Sequence, residues 1–196
     1  METKEERIIA WTIDTAHSSV SFKARHMGLS KVRGQFTSFR GEIEGDPTDV
    51  TTAKARIEID LASVDTGSAD RDTHLKSPDF FDVENHPTMV FESTSVARDG
   101  DDYKIVGDLT VKGISRKVEL AYEHGGEATD PYGNRKIGGA LTGTIKRSDW
   151  DLTWNVPLDT GGWLVSDNVT IEIDLQVAEG QEAVEQEEAA ESKVSA

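Results

Sequence analysis

Three polar residues near the start of the chain have the types that nucleophilic catalysis requires. Asp14, His17 and Ser18 offer an acid, a base and a hydroxyl group close together in sequence. A working triad also needs the base placed against the hydroxyl and an oxyanion hole beside it. Nothing around Ser18 resembles a nucleophile elbow, and residues of one strand point in alternating directions. We therefore expect no catalytic serine here.

Two histidines, His74 and His86, have side chains that can bind metal ions. No matching third ligand accompanies this pair at the spacing of a metal site. The chain has no cysteine, which excludes disulfides and thiolate metal sites. The sequence therefore predicts no metal and no cofactor.

Arg71 and Asp72, just before His74, could form part of an anion site. A guanidinium group pairs with phosphate through two parallel hydrogen bonds, so Arg71 suits a phosphorylated ligand. The alternative is an ion pair and cap that hold a local helix in place. The sequence leaves both interpretations open.

The elements that must position these residues are strands. From about Trp11 to Ala178 apolar and polar residues alternate with a period of two, which is typical of half-buried strands. Turn signals rich in Gly, Asp and Pro separate the runs, so sequence neighbours should pair as an antiparallel meander. The alternating runs predict about eight strands, over 20–25, 32–39, 53–61, 89–96, 103–111, 117–122, 137–145 and 169–177.

A sheet of this size removes its edges by closing on itself, and an eight-stranded barrel leaves room for one small ligand. The predicted fold class is all-β, a single antiparallel eight-stranded barrel with a short helical lid insert. The insert lies between Thr66 and His86, where ADRDTHLKSPDFFD predicts one or two short helices with Ser77 as an N-cap and Pro78 at a first helical position. Its residues expected to cover the interior are Leu75, Phe80 and Phe81.

Composition and charge define the rest of the domain organisation. Residues 1–9 form a short polar segment, residues 10–178 the barrel domain, and residues 179–196, with six Glu and one Lys, an acidic tail predicted to be disordered. The chain carries 21 basic and 37 acidic residues, a net charge of −16, which repels nucleic acid and anionic lipid surfaces. With Met1 present and no stretch long enough for a secretory signal or a membrane span, we expect a cytoplasmic acidic protein without stable membrane insertion.

A series of residues along almost the whole chain resembles the YceI-like lipid-binding proteins. The most specific matching element is Thr66, Arg71-Asp72, His74-Leu75, Ser77, Asp79-Phe80-Phe81-Asp82 and Pro87. Further matches are Phe22, His26-Met27-Gly28, Gly34, Phe36, Phe39, Gly41, Phe91-Glu92-Ser93, Gly107-Asp108-Leu109-Thr110, Arg147, Asp149-Trp150, Leu152 and Thr153-Trp154-Asn155. The resemblance implies a lipocalin-like barrel that holds a polyisoprenoid, such as a polyprenyl pyrophosphate or an isoprenoid quinone. It implies no established enzyme activity, and it makes a homodimer plausible.

Two positions depart from the family pattern. Asp151 stands where similar sequences usually have Gly, and Asp adopts the left-handed backbone more readily than most residues. Trp163 stands where a smaller apolar residue is common. At the barrel mouth, Trp163 would narrow the entrance or shorten the ligand that fits.

The predicted site is the inner face of the barrel. In residues 137–145 glycine alternates with large residues on the apolar face, which indicates either ligand space or a bend with close approach of another group. His26 is either a core histidine or a ligand contact, and Trp150, Trp154 and Trp163 form either a rim or a plug. The predicted lipid contacts are Phe22, His26, Phe36, Phe39, Ile57, Ile59, Leu75, Phe80, Phe91, Ile105, Leu109, Leu120, Gly139, Leu141, Gly143, Trp150, Trp163, Ile171 and Ile173, with Arg71 and Asp72 at the headgroup.

The function expected from these observations is the non-catalytic binding, storage or transport of a long-chain apolar lipid in the barrel. Burial contributes about 0.8 kcal/mol per methylene, so a few isoprene units outweigh the cost of ordering the tail. The alternatives are an enzyme that acts on a bound isoprenoid or quinone, with His26, Asp72 or Asp149 as acid or base, and an empty packed barrel that acts through protein contacts.

Overall fold

The structure is a computed structural model that describes residues 8–46 and 49–180. Within these ranges it contains eleven strands, one α-helix and two 3₁₀ helices. The strands are β1 (Ile9–Ile13), β2 (Ser19–His26), β3 (Ser30–Phe36), β4 (Phe39–Asp46), β5 (Asp49–Asp60), β6 (Val64–Asp65), β7 (Thr88–Asp99), β8 (Asp102–Val111), β9 (Ile114–Thr129), β10 (Arg135–Lys146) and β11 (Val165–Glu179). The helix is α1 (Ala69–Lys76), and the 3₁₀ helices are Leu61–Ser63 and Arg147–Trp150.

The eleven strands make eight barrel strands, because β1 with β2 and β3 with β4 each act as one bent strand, and the two-residue β6 only adds a short pairing to β3. β1 pairs with β4 while β2 pairs with β3, so β1 and β2 lie end to end against β3 and β4. Each barrel strand is antiparallel to its neighbour in sequence, and β11 pairs with β10 on one side and with β1 and β2 on the other. The predicted all-β, eight-stranded antiparallel barrel is confirmed, and so is its meander order.

The ring of strands closes across a break at residues 14–18, between β1 and β2. The N–H of Asp14 donates to the carbonyl oxygen of Gln176 on β11, at 2.9 Å. The Ser18 hydroxyl donates to the same carbonyl at 3.2 Å and accepts from the Gln176 N–H at 2.9 Å. The Ser18 side chain thus takes the place of a backbone partner, and both sides of the break stay bonded to β11.

The carboxylate of Asp14 joins this break to the neighbouring strands. Lys136 Nζ of β10 donates to it at 2.8 Å, Gln176 Nε2 donates at 3.0 Å, and His17 Nδ1 lies 3.0 Å away. The hydrogen bonds from Lys136 and His17 hold the pKa of Asp14 well below its usual range. The hydrogen bond from Lys136 to Asp14 in turn raises the pKa of Lys136.

The two ends of the barrel differ in their connections. The lid end carries the turn 27–29, the segment 61–87 that contains the insert, the turn 112–113 and the segment 147–164. The turn end carries the short connections 100–101 and 130–134, and β1 begins there as β11 ends. The strands begin at Ile9 and end at Glu179, one residue beyond each predicted boundary of the barrel domain.

The insert at the lid end contains one α-helix, within the prediction of one or two short helices. Ser77 follows the last turn of α1, where its N–H donates to the carbonyl of His74, so the prediction of Ser77 as an N-cap is wrong. The N–H groups of Phe81 and Val83 donate to the carbonyls of the last two residues of α1, both at 3.0 Å. These donors satisfy the end of the helix and turn the chain back towards the barrel.

Two sequence predictions concern residues that the structure does not describe or describes only in part. Most of the predicted acidic tail, residues 181–196, lies outside the described residues, as does most of the polar segment 1–9. Among the described residues, the one α-helix is too short and too polar to cross a bilayer.

The first prediction concerns Asp14→Asn, which should lower the melting temperature at neutral pH. Because the pKa of Asp14 is lower in the folded state, its ionised form stabilises the fold above the unfolded pKa of about 3.9. That contribution is lost as the pH falls from there towards the folded pKa. The difference in melting temperature between wild type and variant should therefore be largest at about pH 7 and shrink below about pH 4.

Thermal unfolding followed by circular dichroism across this pH range measures the effect. Glu123→Gln is the control, because Glu123 is an exposed carboxylate on β9. A difference for Asp14→Asn that does not vary with pH would contradict a role for its charge.

Candidate functional site

The barrel encloses a cavity of about 320 Å³. This volume falls within the range of about 300–1,000 Å³ that small-molecule sites occupy. Its wall is almost wholly apolar and receives side chains from every barrel strand. Leu75, Phe80 and Phe81 of the insert also border it, so the insert covers the interior as predicted.

The cavity is long and narrow. Val169 and Val177, eight residues apart on β11, both border it. At about 3.3 Å per residue they lie roughly 26 Å apart along the strand. A strand tilt of about 35–45° converts this to roughly 20 Å along the barrel axis. An extended chain matches this shape better than a compact molecule.

Most of the predicted lipid contacts come together on the cavity wall. They share the inward position of the two-residue alternation, or they belong to the insert and the adjoining 3₁₀ helix. Those that border the cavity are Phe22, Phe36, Phe39, Ile57, Ile59, Leu75, Phe80, Phe91, Ile105, Leu109, Leu120, Leu141, Trp150, Ile171 and Ile173. His26, Gly139, Gly143 and Trp163 do not border it.

Gly139 and Gly143 leave no ligand space, and that interpretation of the strand is wrong. A Cβ atom on Gly143 would lie 2.6 Å from Cδ2 of Leu120 and 2.9 Å from the carbonyl oxygen of Glu119. A Cβ atom on Gly139 would overlap the ring of Tyr122. Side chains of β9 therefore fill the volume that these glycines leave.

The same arrangement recurs elsewhere in the barrel, where a large side chain lies across a glycine of the adjacent strand. The ring of Phe22 covers Gly34, and the ring of Phe91 covers Gly107. These glycines permit close approach between strands. Because the glycines have no side chain, the large side chains of adjacent strands can lie flat against the wall, and this helps to keep the centre of the barrel open.

The tryptophans divide between the two predicted roles. Trp150 is 2% exposed and donates from Nε1 to the carbonyl of Leu109 at 2.9 Å. Trp154 packs edge-on against His74, with ring centroids 4.5 Å apart. Both help to plug the lid end. Trp163, 60% exposed, lies outside the cavity at this end.

Asp151 follows the 3₁₀ helix at the lid end and has φ of 59° and ψ of 27°. This is the left-handed conformation, which Asp adopts more readily than most residues. His26 ends β2 beside the turn 27–29 and is half-buried without bordering the cavity, so the structure does not place it as a ligand contact.

Arg71 and Asp72 both bind Thr66 rather than the cavity. Arg71 donates from Nε to the Thr66 hydroxyl at 2.7 Å and from Nη2 to the Thr66 carbonyl at 2.8 Å. Asp72 accepts from the Thr66 N–H at 2.9 Å. Neither residue borders the cavity. This placement supports the structural interpretation, in which they anchor the start of α1.

The other polar candidates do not assemble into a catalytic or metal site. Ser18 is bonded to the backbone of Gln176, and no hydrogen bond joins it to His17 within the described residues. His74 Nε2 lies 3.0 Å from an oxygen of Asp79. No group of three or more metal-binding side chains occurs in residues 8–46 and 49–180.

Sequence reasoning missed Arg147, which borders the cavity at the lid end. It is 7% exposed, and burial lowers the pKa of its guanidinium group. Nε donates to the carbonyl of Ser166 at 3.1 Å, and Nη1 donates to the carbonyls of Leu152 and Trp154. A signal was present, because residue 147 continues the inward positions 137, 139, 141, 143 and 145.

A second depression, which we name the lid-end groove, opens on the surface beside Arg147. Its volume is about 570 Å³, and its borders include Arg25, Met27, Thr153, Trp163 and Asp167. Arg147 borders both this groove and the internal cavity. It therefore stands where the apolar interior meets the polar surface.

A family model for the YceI-like domain matches residues 11–177, which span nearly all of this barrel. The chain belongs to the YceI-like family. A UPF0312 protein of Staphylococcus aureus strain N315 is 38% identical over 163 residues, which cover 83% of this chain and 93% of that protein. The crystal structure of a YceI protein from Campylobacter jejuni is 34% identical, has a TM-score of 0.70, and covers 86% of this chain and 96% of its own.

The YceI-like barrel also resembles a polyisoprenoid binding domain from Saccharophagus degradans. The TM-score is 0.62, with 88% of this chain and 99% of that domain covered. At 16% identity this likeness shows a shared fold. The family and the lipocalin-like barrel predicted from the sequence are thus confirmed.

The second prediction is that Gly143→Ala destabilises the YceI-like barrel by about 1–3 kcal/mol, the cost of overpacking. The added methyl group meets Leu120 and the backbone oxygen of Glu119. Gly138→Ala is a matched control on the same strand, because the nearest atom to its added Cβ is the Leu175 carbonyl oxygen at 3.5 Å. Denaturant unfolding measures both variants.

Gly143→Ala should lower the free energy of unfolding less in a Leu120→Ala background than in the wild type, because the two side chains compete for one space. Equally small losses for Gly143→Ala and Gly138→Ala would show instead that Gly143 faces open space.

Proposed function

We propose that this protein binds one long-chain apolar lipid in the barrel, a polyisoprenoid such as a polyprenyl pyrophosphate or an isoprenoid quinone, and stores or transports it. The observation that carries this proposal is the elongated apolar cavity, which spans much of the barrel under the insert. Each methylene moved from water into it contributes about 0.8 kcal/mol. The length of the cavity favours a chain over a compact ligand.

The relatives support the same class of ligand. The Saccharophagus degradans domain is named for polyisoprenoid binding and shares this fold. In the present chain, the apolar wall would meet the tail through side chains that are inward-facing by their position in the strands.

The cavity favours binding over chemistry. The titratable residues on its wall, among those the structure describes, are Glu44, Asp46, Tyr122 and Arg147. Burial raises the pKa of Tyr122 to about 12, so its phenol keeps its proton at neutral pH. The acid–base candidates His26, Asp72 and Asp149 lie off the cavity wall. We therefore assign no catalytic role to them.

The third prediction is that protein purified from its source without detergent carries an isoprenoid. Mass spectrometry of an organic extract identifies it. An extract free of apolar molecules, from protein shown to be folded, would contradict lipid storage. The cytoplasmic location and the homodimer stay predictions.

The fourth prediction uses a matched pair of substitutions to test the location of the lipid. Ala55 on β5 borders the cavity, whereas Ala121 on β9 is exposed and does not. Ala55→Phe should displace part of the bound chain and reduce the extractable lipid, while Ala121→Phe should leave it unchanged. Binding of the apolar fluorescent probe N-phenyl-1-naphthylamine should change in the same way.

Melting temperatures of both variants establish that they fold. Equal lipid and probe binding in the two folded variants would place the ligand outside the barrel.

A further inference from the structure

Arg147 has hydrogen-bonding capacity that the protein does not use. Its Nε and Nη1 groups bind the carbonyls described above, but Nη2 has no hydrogen-bond partner among the described residues. No side-chain nitrogen or oxygen in those residues is both fully buried and unpartnered, so Nη2 must face open space. The open spaces beside Arg147 are the cavity and the lid-end groove.

The charge of Arg147 also lacks a direct counter-ion. No ion pair joins it to a carboxylate within the described residues, since its partners there are all carbonyl oxygens. Asp167 is the acidic residue bordering the groove, and its negative charge favours the protonated form of Arg147. Its carboxylate nevertheless accepts from the N–H and hydroxyl of Ser148, at 3.0 and 2.9 Å, rather than from Arg147. A buried cation that contacts no carboxylate is costly to remove from water, and an anionic ligand in direct contact would offset that cost.

The charged residues on the cavity wall, among those the structure describes, differ between its two ends. Arg147 borders the lid end, whereas Glu44 and Asp46, at the end of β4, border the cavity near the turn end. On the wall itself, an anion is therefore attracted by Arg147 and repelled by Glu44 and Asp46.

We propose that Arg147 binds the anionic head of the ligand, a phosphate or a carboxylate, at the lid end, while the apolar tail extends towards the turn end. This inference rests on the proposed function and makes it more specific. The ligand is an acidic lipid rather than a neutral quinone. The lid-end groove gives the head room and access to water, and Arg25 on its border adds a second positive charge.

The test compares three probes on the full chain: geranylgeranyl diphosphate, geranylgeraniol and inorganic pyrophosphate. The first two share a tail and differ in the head, so the ratio of their dissociation constants isolates the head. We expect the wild type to prefer the diphosphate by about 10- to 100-fold, the range for hydrogen bonds to a charged group. Arg147→Gln should remove that preference and retain geranylgeraniol binding.

Because Arg147 also holds three carbonyls, its loss could prevent folding, and two further variants leave it in place. Asp167→Asn removes a negative charge from the groove and keeps an acceptor for Ser148, so it should strengthen the preference for the diphosphate. Thr153→Asp adds a negative charge to the groove and should weaken it. We expect shifts of about threefold or more, in opposite directions, from one unit of charge at partly exposed sites.

The controls make the same charge changes far from the groove. Asp99→Asn removes a carboxylate at the turn end, and Thr142→Asp adds one to an exposed position of β10. Neither should change the preference. If the groove variants behave like these controls, the assignment of the head to the lid end is overturned.

The remaining outcomes separate this inference from the proposed function. Failure of both geranylgeranyl probes to bind wild type would overturn the proposed lipid-binding function itself. Binding of geranylgeraniol as tightly as the diphosphate would keep that function and overturn the anionic head. Inorganic pyrophosphate that binds as tightly as the diphosphate lipid would identify a site for free phosphate and overturn its assignment to a lipid head.

Discussion

Closure of the sheet at Gln176 is the constraint on which the rest of the structure depends. A cavity inside a sheet exists only when the first and last strands pair, and here the first strand is broken at residues 14–18. The backbone of Gln176 bonds to both sides of that break, through Asp14 on one side and the Ser18 hydroxyl on the other. Residues whose types suggest hydrolytic chemistry instead complete the barrel. Polar residues at the seam thus make an apolar interior possible.

The apolar interior is in turn kept open by the glycines of the wall. Large side chains usually fill a small barrel to its centre. In this chain Phe22, Phe91 and Tyr122 lie across glycines of adjacent strands, so their bulk is taken up within the sheet. The ends are then covered differently. The insert and Trp150 cover one end with apolar groups, and Arg147 provides the charged group where that cover meets the surface.

The strands could be predicted from sequence where enough inward positions carry large apolar side chains. β10 has three of these, Ile137, Leu141 and Ile145, in spite of its two inward glycines. β4 beyond Phe39 has only Ile43, between Gly41 and Gly45, so the sequence does not predict this part of the strand. The role of the glycines was also not predictable, since it depends on which side chain lies opposite, and register is a property of the folded sheet.

The polar part of the site was misassigned for a related reason. Arg71 and Asp72 suggested a headgroup site, but both are used locally by Thr66. Arg147 was overlooked because a single charge on an inward position reveals neither its burial nor its partners. Local patterns therefore identify the apolar wall, whereas the polar contacts depend on tertiary structure.

The pairing of β1 with β11 at the turn end determines how the barrel would be oriented when it is fused to another domain or linked to a surface. The N–H of Gly180 donates to the carbonyl of Ala10 at 2.9 Å, so the two ends of the described chain lie side by side. An added domain, label or surface linkage attached at Ile8 or Gly180 would be joined at the turn end. The opposite end, with its groove and insert, would stay exposed on an immobilised or fused barrel.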